Sequence, residues 1–106
     1  MSLANYIIFE NGVQKWLFIG NPHKLDKVLV DPRTKQKKTV QVRRWSVTRE
    51  NKSMVHKHLD VTSSKFDADL MALFELDVLS YKEVGITRYG EGWDTTYTIE
   101  TRPLQG

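Results

Sequence analysis

The chain lacks cysteine altogether, which excludes disulfides, thiolate metal ligands and cysteine nucleophiles. It also lacks any apolar run near the ~20 residues that a membrane helix needs. No charged segment followed by an apolar one opens it, so no signal peptide is expected. These three absences fit a reducing, cytoplasmic setting. Histidine is scarce, at three residues, and so is proline, at three. Pro22, Pro32 and Pro103 fall where turns or ends are expected. No repeat, linker or low-complexity tract divides the 106 residues, so residues 1–106 read as a single domain. A chain of this length buries roughly two-thirds of its unfolded surface, which one core can supply without cross-links.

Catalytic constellations are missing too. Gly90-Glu91-Gly92-Trp93 sits in a turn context with no following helix or lysine, so it is no phosphate loop. No nucleophile elbow appears, and the aromatic strand signature of RNA-recognition motifs is absent. Asp67 and Asp69 diverge by about 200° on a helix and do not share a site. His56-Lys57-His58-Leu59-Asp60 has the His-x-His-x-Asp spacing seen in metallo-β-lactamase-type hydrolases, where three side chains on one strand face meet zinc. That pattern continues with a further histidine, and here Val61 follows. The reading is therefore of a chain that is not an enzyme and holds no metal or cofactor.

Charge is what the chain does have. The net charge is +3, distributed unevenly. Residues 1–21 are neutral. Residues 22–58 hold eleven Lys/Arg against three acids, and residues 59–106 hold four against nine. Such segregation speaks about partners, and a polyanion is the usual partner of a basic segment. The alternative is that the basic and acidic stretches face each other inside the fold.

Local patterns predict an α+β fold. Asn11-Gly12 tolerates the positive φ angles of a type I′ turn and is flanked by β-formers, so Asn5–Glu10 and Val13–Ile19 read as a hairpin. Ile7, Phe9, Trp16 and Phe18 form its expected core face, with Tyr6, Ile8, Leu17 and Ile19 on the other. Gly20–His23 reads as a turn, Val28–Val30 as a short strand, and Asp31–Thr34 as a type I turn with proline second. Thr39–Arg49 is a long strand, with Val40 and Val42 on one face and Arg43, Trp45 and Val47 on the other. A bulge is expected near Arg43-Arg44. Residues 54–62 are ambiguous between strand and loop. Phe66, Leu70, Leu73 and Phe74 recur at helical spacing, which predicts a helix over 64–77, with Ser64 as N-cap and Asp67 as its reciprocal carboxylate. Residues 80–88 and 93–102 read as a second hairpin, with Arg88 opposite Trp93. The expected architecture is an antiparallel sheet or small open barrel of about six strands with one helix, in the order ββββαββ.

Two functions follow. The first is a small nucleic-acid-binding module using a basic β-hairpin. Arg33, Lys35, Lys37, Lys38, Arg43, Arg44 and Arg49 would meet phosphates, and Trp45 would offer a platform for an unpaired base. The second is a non-enzymatic protein-interaction or assembly protein: an adaptor, an inhibitor or a structural subunit. Its interface would use Tyr6, Ile8 and Leu17 from the first hairpin, with Tyr89 and Trp93 at the tip of the last one. Opposed basic and acidic segments also suit docking on an acidic protein partner or self-association into a homo-oligomer. No membrane contact is expected.

Overall fold

In the computed structural model, residues 5–90 and 95–104 are described. Three strands come first: β1 (Gln14–Val30), β2 (Lys37–Glu50) and β3 (Ser53–Val61). Helix α1 (Ser64–Glu75) and a 3-10 turn (Val78–Ser80) follow, then β4 (Lys82–Tyr89) and β5 (Thr96–Pro103). The strands form one antiparallel sheet in the order β3-β2-β1-β4-β5. The α+β class is as expected, and the order of elements is βββαββ.

The difference arises at the N-terminus. Glu10 accepts the Val13 N–H at 3.1 Å, so Asn11-Gly12 does turn the chain. Gly12 has a φ of 75° whereas Asn11 is not in the positive-φ region. A type I′ turn needs both, and with one the two arms splay. The incoming segment then serves as a strap. Tyr6 bridges His58 on β3, and Asn11 bridges Arg88 on β4, both in parallel sense. The strap buries Ile7 and Phe9, as expected. It does not pair with β1, so the faces of β1 are set independently: Leu17 and Ile19 are buried, and Trp16 and Phe18 only partly so.

The predicted turn at Gly20–His23 is also absorbed. β1 runs through it by bulging, because Ile19 pairs with Val47 and Pro22 with Trp45, leaving Gly20 and Asn21 opposite Ser46 alone. Proline is tolerated at such a break in the ladder. A Cβ on Gly20 would stand 2.5 Å from Ser46 Oγ, so any larger residue there would turn the Ser46 hydroxyl aside. A compensating irregularity falls where Phe18↔Arg49 gives way to Ile19↔Val47, at Thr48 rather than at Arg43-Arg44. Two predicted strands thus merge into a single 17-residue β1, and the ambiguous 54–62 becomes β3.

One face of the sheet carries the core. Leu17, Ile19, Trp45, Val47, Leu59, Val61, Val84 and Ile86 pack there against Phe66 and Leu70 of α1, with Leu73 and Phe74 alongside. Each buried side chain of this size stabilises by roughly 1.5–3 kcal/mol. The Phe66 and Tyr97 rings stack at 4.3 Å, and Phe74 meets Trp45 edge-on at 5.7 Å. The helix begins at Ser64 with Ser63 as N-cap, without a side-chain capping bond. With Ser63 as N-cap the third helical residue is Phe66, so no capping box forms, and the Asp67 carboxylate holds Arg43 instead.

The last hairpin keeps its predicted faces but not its partners. Arg88 lies opposite Tyr97, and Ile86 opposite Ile99. This is a four-residue slide, so side-chain parity survives.

Candidate functional site

The register makes a projecting arm. β4 pairs with β1 only over Gln14–Leu17, and β3 pairs with β2 from Arg43 onward. The six pairs from Leu25↔Val42 to Val30↔Lys37 therefore have no third strand beside them. At ~3.3 Å per residue they extend about 20 Å. The shape records this. The molecule measures 47 × 27 × 27 Å with a radius of gyration of 14.1 Å, against about 13 Å for a compact chain of this length. Its accessible surface is 7226 Å², against ~6,100 Å² expected from its mass.

The arm ends in a tight loop. Asp31 Oδ1 accepts the Arg33 and Thr34 N–H groups at 2.7 and 3.3 Å, and the Asp31 carbonyl accepts the Lys35 N–H at 2.9 Å. The predicted turn is present and closes one residue later than a type I turn would, with Lys35 at a φ of 60°. Residues 31–39 are all exposed. So are Val28, Leu29 and Val30 on the arm. Lys37 and Lys38 alternate, one on each face of the ribbon. Leu29, Val30 and Pro32 line an open cleft of about 490 Å³ with Arg33, Lys37 and Lys38.

The sequence-predicted phosphate contacts separate into two groups. Arg33, Lys35, Lys37 and Lys38 sit on the arm's end, and none pairs with a carboxylate among the described residues. The other predicted cations are held within the body. Arg43 binds Asp67 on α1 at 2.7 Å. Arg44 binds Asp60 through two nitrogens, at 2.7 and 2.9 Å, and donates to Tyr6 Oη at 3.1 Å. Arg49 faces Glu83 at 3.7 Å. Lys27 and Lys57, from the same basic stretch, reach Asp60 at 3.2 Å and Glu50 at 2.6 Å. Apart from Glu50, these acids lie in residues 59–106, so the two halves do face each other in part. Trp45 corrects the expectation of a base platform. It is 0% exposed, because its face of β2 lies under α1.

Electrostatics locks the body further. Burial would raise the Asp60 carboxyl, but the hydrogen bonds and charges of Arg44 and Lys27 outweigh it and hold the group below the usual range. Arg44 is raised in turn, chiefly by the Asp60 hydrogen bond. Glu50 behaves like Asp60: burial opposes ionisation, and Lys15 and Lys57 overcome it. Glu83 is 0% exposed. Its Oε2 accepts from Arg102 Nε at 2.8 Å. Its Oε1 and Arg49 Nε are buried without a hydrogen-bond partner and face each other at 3.7 Å. The Arg102 guanidinium in turn lies 4.0 Å from the Trp16 ring centroid. Trp16 lies over Gly85, where a Cβ would come within 2.8 Å of the indole.

The interface candidates also divide. Ile8 and Tyr89 are exposed, at 52% and 48%. Tyr6 is half-buried beneath Lys27 and Arg44, each 5.4 Å from its ring centroid. Leu17 is 0% exposed and corrects the expectation of a contact residue, since β1 turns it toward α1. Trp93 lies outside the described residues. On β3, His56 is exposed, His58 packs against Tyr6, and the Asp60 carboxylate holds two cations. Among the described residues no cluster of three His, Asp or Glu side chains is arranged to hold a metal. No helix among them is long and apolar enough to cross a membrane. Sequence reasoning placed the basic hairpin and its tip at Arg33–Lys38, and missed that the hairpin projects beyond the other strands.

No protein-family model, curated protein or solved structure matches the chain.

Proposed function

We propose that this protein is a nucleic-acid-binding module whose contact element is the β1–β2 arm. The observation that carries the reading is the set of four cations, Arg33, Lys35, Lys37 and Lys38, exposed on a projecting ribbon and in no ion pair among the described residues. Cations so placed release counterions from a phosphate backbone and gain affinity without dismantling the fold. Arg43, Arg44 and Arg49 lack that freedom, and they support the contact by fixing the arm's base to the body.

Fluorescence anisotropy with labelled DNA and RNA across a salt series tests the reading. Four phosphate contacts predict a log–log salt slope of about −3 to −4 on duplex DNA. Each cation removed should reduce the slope by about one. Absence of binding at low salt, or unchanged binding by the variant Arg33→Ala, Lys35→Ala, Lys37→Ala, Lys38→Ala, overturns it.

A second reading, a protein-interaction or assembly role, is favoured by one observation. Val28, Leu29 and Val30 are exposed on the same arm, at 57, 42 and 53%. An acidic protein, or another copy of the chain, would be the partner, and sedimentation velocity on the free protein separates a monomer from an assembly.

A further inference from the structure

We infer that the arm takes B-form duplex DNA and lies in its major groove, in preference to a single strand or an RNA duplex. The inference rests on the nucleic-acid reading above and names its substrate class.

Three features of the arm point there. The first is its lack of aromatic residues. No Phe, Trp or Tyr occurs between Phe18 and Trp45, His23 precedes the arm, and Trp45 is fully buried. Single-strand binding relies on stacking bases against aromatic rings, and the arm has no ring to offer. Tyr6, beside the arm's base, is already occupied by Lys27 and Arg44, and Tyr89 lies at the opposite end of β1 from the arm.

The second is the distribution of charge. Adjacent residues on a strand point to opposite faces, so Lys37 and Lys38 carry cations on both sides of the ribbon, with Arg33 and Lys35 in the loop. A groove presents two phosphate walls, and this arrangement addresses both at once. A single strand presents one. The B-form major groove, about 12 Å wide, admits a two-stranded β-ribbon. The A-form major groove is too narrow for side chains to read.

The third is the exposed aliphatic set beside those cations: Val28 and Val30 share one face of the ribbon with Lys37, and Leu29 lies on the other with Lys38. Aliphatic groups in the major groove contact the C5-methyl of thymine. They have no comparable target on the phosphate backbone. Their presence on an otherwise solvated arm is accounted for by a groove floor that carries methyl groups.

The test uses the full chain with one A·T-rich sequence in four forms: duplex DNA, its single strands, the duplex RNA, and duplex DNA with uracil replacing thymine. Duplex DNA should bind at least tenfold tighter than either single strand or the RNA duplex. Uracil replacement should weaken binding several-fold. That uracil penalty should vanish in Val28→Ser, Leu29→Ser, Val30→Ser, which removes every side-chain methyl of the set from an exposed arm. Equal affinity for single strands or duplex RNA overturns the inference, as does indifference to the thymine methyl, while leaving the nucleic-acid reading intact. Failure to bind any of the four forms overturns both.

Discussion

Most of the cations between residues 22 and 58 fall into two populations, set apart by how close they stand to the carboxylates of the body; even Lys27, on the inner part of the arm, still reaches Asp60. Where β2 is flanked on both sides, Arg43, Arg44 and Arg49 each find a carboxylate. At the far end of the arm, Arg33, Lys35, Lys37 and Lys38 find none among the described residues. The same compositional bias therefore has two uses. In the body it welds the basic and acidic halves together. On the arm it remains available to an outside partner. Counting charges along the chain overstates the second use, because roughly half of the basic stretch is neutralised internally.

The strongest way to break this comparison is at Glu83. It is buried between Arg49 and Arg102, and removing its charge leaves two guanidinium groups facing a neutral amide. Losing one partner from a buried ionic cluster costs about 3–5 kcal/mol. Glu83→Gln should lower stability by that amount in urea unfolding. A loss under about 1 kcal/mol would show that the body's ion pairs are dispensable.

Asp60→Asn should have a smaller effect, about 1.5–3 kcal/mol at neutral pH, the range for hydrogen bonds to charged groups. Its pH dependence is diagnostic. The Asp60 carboxyl is depressed in the folded state, so its stabilisation is fully present above the unfolded value of about 3.9 and is lost as pH falls through the folded value. Glu50 is depressed in the same sense and adds to the loss in acid. Wild type and variant should therefore differ at pH 7 and converge as the pH drops below about 4. A gap that stays constant through that range would remove the charged Asp60 from the account.

How much of this was legible beforehand depends on the sequence distance over which each feature is decided. The α1 stripe of Phe66, Leu70, Leu73 and Phe74 is local and reads directly. The faces of β2 read as well, since Val42 and Trp45 diverge by parity alone. The last hairpin shows the limit of parity: its faces were readable and its partners were not, because a slide by an even number leaves every side chain on the same side. The N-terminal hairpin failed for another reason. Asn11-Gly12 does turn, but the Ile7 N–H donates to the His58 carbonyl of β3 and Phe9 meets Tyr97 of β5, so the segment leaves β1. Among the site residues, the free cations were legible because no acid occurs among them from Arg33 to Lys38. The committed ones were not. Arg43 and Asp67 lie 24 residues apart, and nothing local says that α1 brings them together. Trp45 looked available for the same reason, since the helix that covers it starts 19 residues later.

The smallest expected effect on stability is the sharpest test of the arm. Lys37 and Lys38 are exposed and in no ion pair among the described residues, and their backbone lies in a two-stranded ribbon apart from the core. Surface substitutions away from such packing stay within about 0.5 kcal/mol. Lys37→Ala with Lys38→Ala should therefore leave the urea midpoint and slope of wild type unchanged. If instead it destabilises the protein by more than about 1 kcal/mol, the tip cations are part of the fold's own electrostatics and the two populations are one. If stability holds, any change the pair makes in binding comes from the contact itself. That separation is unattainable with Arg43 or Arg44, whose replacement would unfasten α1 and β3 in the same step.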